Sequence, residues 1–376
     1  MTSGNLLADR RLELARALKA AGDSPAALSL LEQALELVPA WGEGLFLLGE
    51  WQADAGRRDD AVAAYTRCLV LDPEDRLGAI IRLALLGAAA APPLLPPAYI
   101  ACLFDEQAAD FDAALLQRLD YRVPALLDAA VTTCLEKDGA DGGRLGAVLD
   151  LGCGTGLAAE RFRRRAAWLE GIDLSAGMLR EAGRRGIYDV LTQGDIVGFL
   201  AAAPRRYDLV LAADVLVYLG DLAPLFAAVT AVLAPGGRFA CSVEAAPGDD
   251  FDGFLLTGGH RFAHGERYLV ARAEAAGLVP EMLQRAAVRS EAGRPAAGLI
   301  LVARLPERPA GCLGVPSPAL PGVMVTAEAE PARVPGAVPG AVPGAVRAEK
   351  PSGGIGQEGS ARQRCVPARR HARQAT

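Results

Sequence analysis

The stretch "VLDLGCGTGLAAERF", residues 148–162, places three glycines within five positions, directly after an apolar run that carries an aspartate. An apolar run closing on a glycine-rich turn predicts a buried strand feeding a helix. The backbone N–H groups at such a junction hold nucleotide ligands, with or without phosphates. The acid in front separates the two. "GTGLAA" can be fitted to the dinucleotide pattern with Ala159 in the third glycine place, but a pyrophosphate there is repelled by the Asp150 carboxylate. A ligand bearing an ammonium and a sulfonium is attracted by it.

Three further acids follow the same logic. Asp173 closes "LEGIDLS", Asp195 closes "LTQGDIV" and Asp214 closes "LVLAADVLVYL", at intervals of 23, 22 and 19 residues counted from Asp150. Each interval fits one strand and one helix, so four carboxylates are expected along the rim where the strands end, the edge at which ligands sit in open α/β sheets. Asp173 is suited to accept both ribose hydroxyl hydrogens. Asp195 is suited to accept from an adenine amino group, with Ile196 covering the ring. A single such acid is as readily a helix N-cap; four in register are harder to assign to capping, and the ligand they favour is S-adenosylmethionine.

The sequence around this stretch divides into three. Sliding the N-terminal part by 34 residues aligns Leu12 with Phe46, Ala15 with Gly49, Gly22 with Gly56, Leu31 with Tyr65 and Pro39 with Pro73. This register resembles that of the tetratricopeptide repeat, with a generic helical hairpin bundle as the alternative; about two units fit, with "EDRLGAIIRLALLGA" as a capping helix. The proline-interrupted run from Leu83 reads as a linker. From about residue 98, β-rich runs ("GAVLDLG", "WLEGIDL", "DVLTQGD", "YDLVLAADVL", "RFACSVE", "AGLILVAR") mostly alternate with helical stretches, which predicts a doubly wound parallel sheet covered on both faces. A Pro/Gly-rich tail follows, with "PGAVPGAVPGAV" from Pro335, and its composition predicts disorder. The expected boundaries are 1–95 for the all-α repeat region, 96–305 for the α/β domain and 306–376 for the tail.

Bulk properties bound the partners. Apolar residues make up 51% of the 376-residue chain, enough for a substantial core, and the formal charge of −6 gives no basic footprint for nucleic acid. The seven cysteines form no CxxC pair, so they read as reduced thiols and no metal site is expected. The N-terminus lacks a signal-peptide layout and the longest apolar stretch is too short to span a bilayer. The expectation is a cytoplasmic protein with neither a membrane nor a nucleic-acid partner. Oligomeric state is not legible.

With these motifs in place, the α/β segment resembles the class I S-adenosylmethionine-dependent methyltransferases. "VLDLGCGTG" matches their first motif, "GIDLSAGML" their ribose-binding motif, "QGDI" their adenine motif and "YDLVLAADVLVYLGDL" the strand lining the methyl-transfer site. Together with the front repeats, "YIACLFDEQAADFDAALLQRLDYRVPALL" and "GHRFAHGERYL" are similar to methyltransferases that carry tetratricopeptide repeats. The resemblance implies a seven-stranded Rossmann-like sheet in the order 3-2-1-4-5-7-6, the last strand antiparallel, with strand 6 near Met282–Arg289, a turn at Gly293 and strand 7 from Ala297. It implies a cofactor set of Asp150, Gly152, Gly154, Gly156, Asp173, Leu174, Met178, Asp195, Ile196 and Asp214.

Methyl transfer from a sulfonium is an in-line displacement, so the acceptor side needs alignment and dryness more than reactive groups. His264 matches the family's histidine in "RFAHGERYL" and is the candidate base; a loop-holding hydrogen bond is its alternative role. Tyr218 is a candidate for the methyl channel, or a packing residue. Phe104, Ala108, Phe111 and Leu115, at helical spacing and flanked by Tyr99 and Tyr121, form either a lid over the cofactor or a piece of core. The expected acceptor is a small molecule methylated at oxygen. The alternative is a protein bound by the repeats, with the α/β domain methylating it or only sensing the cofactor.

Overall fold

Two helical hairpins open the chain: α1 (Leu6–Ala20) with α2 (Ser24–Leu37), then α3 (Gly42–Asp54) with α4 (Arg58–Leu71), and α5 (Ala79–Leu85) closes them. The computed structural model describes residues 2–139, 143–248, 250–291 and 293–307; the tail expected to be disordered lies, from residue 308, outside the described residues. Local chemistry sets the helix ends. Asn5 accepts from the N–H groups of Leu7 and Ala8 at the start of α1, and Asp23 from Ala26 at the start of α2, satisfying donors that a helix N-terminus leaves open. Gly22 and Gly56, paired by the 34-residue register, adopt φ of +89° and +74°, which side-chain-bearing residues reach only with strain. The helices close over Leu12, Leu31, Leu45 and Tyr65.

The α/β part begins with α6 (Pro97–Gln107), α7 (Phe111–Ala113), a π turn at Ala114–Arg118 and α8 (Val123–Lys137). Alternation then sets in: β1 (Leu145–Leu151), α9 (Ala159–Phe162), β2 (Ala166–Asp173), α10 (Ala176–Arg185), β3 (Val190–Gln193), α11 (Ile196–Ala202), β4 (Tyr207–Ala212), α12 (Ala223–Val232) and β5 (Leu233–Ala245). After β6 (Phe254–Leu256), β7 (Phe262–His264) and α13 (Glu266–Ala275), a hairpin of β8 (Val279–Glu291) and β9 (Arg294–Arg304) ends the described chain. The first five strands run parallel in the order β3-β2-β1-β4-β5, and β9 inserts antiparallel beside β5 with β8 outside it. With β8 and β9 as the sixth and seventh strands, this is the 3-2-1-4-5-7-6 order. The short pair β6 and β7, which extends the end of β5 at Glu244 and Ala245, was not foreseen.

The two-residue strand period sorts the core. Leu209 and Leu211 of β4 face α8 and α9 through Leu127, Val131 and Phe162, while Val210 and Ala212 face α12 and α13 through Leu225, Phe226 and Leu269. The stretch read as a linker is docked rather than free. The Pro93 carbonyl accepts from Gly220 and Asp221, Leu94 bridges Leu219, and the Leu95 N–H donates to the Tyr218 carbonyl at 2.9 Å. Among the described residues no helix is long and apolar enough to cross a membrane, and no group of His, Cys, Asp or Glu has the arrangement to hold a metal ion.

Where α3 crosses α4, a Cβ built on Gly49 would lie 2.7 Å from the ring of the buried Tyr65. Gly49→Ala gains about 1 kcal/mol of helix propensity but overpacks a fixed ring, which costs about 1–3 kcal/mol. Denaturant unfolding should show net destabilisation; a more stable variant would mean that the ring moves freely.

Candidate active site

The loop leaving β1 turns three times through backbone that favours glycine: Gly152, Gly154 and Gly156 have φ of +59°, +53° and +95°. A Cβ on Gly152 would meet Val215 and one on Gly156 would meet Tyr188, whereas one on Gly154 would meet nothing within 4 Å. Of the three, Gly154 alone lies against open space.

Asp173, the last residue of β2, organises this loop. One carboxylate oxygen accepts from the Gly154 N–H and the other from the Ser175 N–H, both at 2.8 Å. Burial raises its pKa, and the backbone donors of Ser175 and Gly154 work against that rise. Ser175 caps α10 by accepting from the N–H of Met178, which is buried, and the Leu174 carbonyl accepts from Gln193. Asp195 is exposed and caps α11, accepting from Gly198 at 2.7 Å, with the half-buried Ile196 beside it. The N-cap role and a place on the rim coincide there.

Two acids on the rim have partners that the sequence did not announce. Asp150 is 1% exposed and accepts a 2.8 Å hydrogen bond from the Tyr188 hydroxyl; burial pushes its carboxyl up to about 7, opposed by that hydrogen bond. Asp214 adopts φ +60°, and its N–H donates to the Ser242 hydroxyl. Its carboxylate lies 3.1 Å from Arg261 and 3.6 Å from Arg289, so it does not stand as the bare negative charge expected for a sulfonium ligand. Arg289 also pairs with Glu244 at 2.7 Å. A pair of arginines thus faces the end of β4.

The apolar stripe before β1 is latched over the glycine loop by acids that went unread. Asp105 accepts from the Ser175 hydroxyl and the Gly177 N–H at 2.6 and 2.7 Å, and Asp112 accepts from Thr155 and pairs with Arg185. Ala108 and Leu115 are buried, and Phe104 packs edge to face on both Phe111 and Tyr218, each at 5.7 Å. Lid and core are here the same surface. Tyr218 also lies under the Arg261 guanidinium at 5.7 Å, and burial pushes its hydroxyl up to about 12.

His264 departs from the base role. It is fully buried in β7, and its Nε2–H donates to the carbonyls of Leu219 and Gly220 at 2.9 and 3.2 Å. Its ring stacks on Tyr268, Nδ1 is buried with no hydrogen-bond partner among the described residues, and desolvation lowers its pKa to about 4. A general base must reach its proton and carry a pKa near the working pH. His264 instead holds the loop after β4.

Residues 148–237 match the family described as "Methyltransferase domain", and residues 45–77 match "Tetratricopeptide repeat". The ubiquinone biosynthesis O-methyltransferase of Serratia proteamaculans is 33% identical over 95 residues, 24% of this chain and 39% of the relative. The trans-aconitate 2-methyltransferase of Pseudomonas aeruginosa is 40% identical over 95 residues, 25% of this chain and 34% of the relative. The chain thus spans well under half the length of these curated relatives. Among solved structures, the DhpI–SAH complex is 23% identical with a TM-score of 0.38, covering 56% of this chain and 97% of that one. An S-adenosylmethionine-dependent methyltransferase from Clostridium acetobutylicum is 20% identical with a TM-score of 0.40, covering 54% of this chain and 98% of that one. Residues 148–237 of the α/β part thus match a methyltransferase domain, and residues 45–77 ahead of it match a tetratricopeptide repeat.

Proposed function

We propose that the chain transfers a methyl group from S-adenosylmethionine to an oxygen of a small-molecule acceptor. The observation that carries this reading is the glycine cradle at Gly154, fixed by Asp173 and closed over by the Asp105 and Asp112 latches. When bound, the sulfonium compound supplies an activated methyl group. The chain contributes position and dryness: Asp173 offers its remaining lone pairs to ribose hydroxyls, Asp195 and Ile196 receive the base, and the Phe104–Phe111–Tyr218 group excludes water. No residue needs to form a covalent bond.

A small acceptor is supported by how the repeats are used. Ile81 of α5 packs with Leu95, Ile100 and Phe262, and Gly78 lies against Tyr99, so the capping helix is spent on the lid. The names of the two relatives support it further. A screen with methyl-labelled S-adenosylmethionine against extract separated into small and large molecules decides between this reading and a protein acceptor; label confined to protein would overturn it.

Three results are expected. Asp173→Ala should weaken S-adenosylmethionine binding by about 1.5–3 kcal/mol, the scale of hydrogen bonds to a charged group. Calorimetric affinity equal to the parent would remove the ribose assignment. For Asp150, the cofactor-free fold holds a proton up to about pH 7, and a cationic ligand favours the ionised form. Affinity should therefore rise from pH 6 to pH 8 with proton release, and Asp150→Asn should lose that increment. His264→Ala leaves two loop carbonyls without their donor and should cost about 1–3 kcal/mol of stability, with the pH–rate profile unmoved. Lost turnover in a fully folded variant would restore the base role.

A further inference from the structure

The acceptor side of the site combines two features among the described residues: a buried and a half-buried arginine, and acceptor side chains that are paired or sealed in the core. Arg289 of β8 is 3% exposed, and Arg261 comes from the segment between β6 and β7. They converge on Asp214 just beyond the end of β4, the strand whose edge lines the methyl-transfer site in the reading above, on which this inference rests. Arg261 gives one N–H to Asp214 and lays its guanidinium over Tyr218. A guanidinium carries five N–H donors in a planar fork matched to a carboxylate.

Among the described residues, the proton acceptors near this edge are paired or, like Nδ1 of His264, sealed in the core. Nε2 of His264 is spent on two carbonyls inside the core. The His260 ring lies 2.6 Å from Nη1 of Arg82, a group that can only donate, so that ring nitrogen is the acceptor of the pair. Tyr121 and Tyr218 keep their protons, both raised chiefly by burial. Asp214 and Glu244 are ion-paired, and Asp150 faces Tyr188 beneath the glycine loop. An alcohol, phenol or ammonium acceptor would have to lose a proton with no unpaired, accessible base among the described residues beside it, whereas a carboxylate is already ionised at neutral pH.

We infer that the acceptor is a carboxylic acid, oriented as its carboxylate by Arg261 with Arg289 behind it, and that the product is its methyl ester. A carboxylate oxygen lone pair forms the new bond to the methyl carbon, and the carbon–sulfur bonding pair returns to sulfur. The sulfonium and carboxylate charges cancel, leaving a neutral thioether and a neutral ester with no proton released. The Phe104 and Tyr218 faces supply the apolar walls.

The test uses the full chain with methyl-tritiated S-adenosylmethionine and a small-molecule extract of the source organism, split by anion exchange before the reaction. Acceptor activity is expected in the retained fraction, and brief alkaline treatment should release the incorporated label as volatile methanol. Arg261→Gln should lower incorporation roughly tenfold or more, with Arg261→Lys recovering part of it, while calorimetric affinity for S-adenosylmethionine stays within about twofold. Label that survives alkali, or activity confined to the unretained fraction, overturns the ester assignment and leaves methyl transfer standing. Undiminished incorporation by Arg261→Gln overturns the role of the arginine. Binding of S-adenosylmethionine without label in any fraction overturns methyl transfer itself, and the ester with it.

Discussion

One carboxylate joins the two loops on which the site depends. By accepting from Gly154 after β1 and from Ser175 after β2, Asp173 sets the curvature of the glycine turn and the start of α10 together. A buried carboxylate is costly unless hydrogen bonds compensate, and here both oxygens are compensated by backbone that must curve to reach them. Ser175 extends the arrangement, because its hydroxyl accepts from the Met178 N–H and donates to Asp105 of the lid. The lid therefore closes on a polar chain running from the sheet edge, rather than by apolar contact alone.

The parts of this fold set by short-range rules could be read from the chain. Period-two strands, the turn glycines of the repeats and the spacing from Asp150 to Asp214 each follow from geometry within one supersecondary unit. What escaped reading depends on pairs far apart in sequence. Tyr188 meets Asp150 across 38 residues, Asp105 meets Ser175 across 70, and Asp112 meets Thr155 across 43. No local period distinguishes Asp105 or Asp112 from other solvent-facing acids of a helix. The proline-rich run before α6 reads as a linker because proline forbids helix, but its carbonyls remain free to accept, and Pro93 does so from the loop after β4.

β8, expected near Met282–Arg289, forms there as Val279–Glu291 against its local propensity. "LQRAAVRS" has poor strand propensity, yet the strand runs through all of it, paired with β9 from Val279 to Glu291. Tertiary pairing overrides propensity here because β9 supplies a long antiparallel ladder, with its register shifting between Pro280 and Met282 and between Ala287 and Arg289. Within this strand Arg289 carries the guanidinium that reaches Glu244 and Asp214. The pairing of β8 with β9 thereby brings a charge to the end of β4.

That delivery changes the electrostatics of the rim. Four acids in register suggested a uniformly negative edge, but the structure divides it. On the β1–β2–β3 side, Asp150, Asp173 and Asp195 meet only neutral donors, a tyrosine hydroxyl and backbone N–H groups. On the β4–β5 side, Asp214 and Glu244 meet Arg261 and Arg289, and the four charges sum to zero. A positive charge is favoured on the first side and is not drawn onto the second. The two arginines also neutralise Asp214 where it stands. The left-handed backbone at Asp214, anchored by Ser242, fixes the carboxylate at the boundary between the two halves.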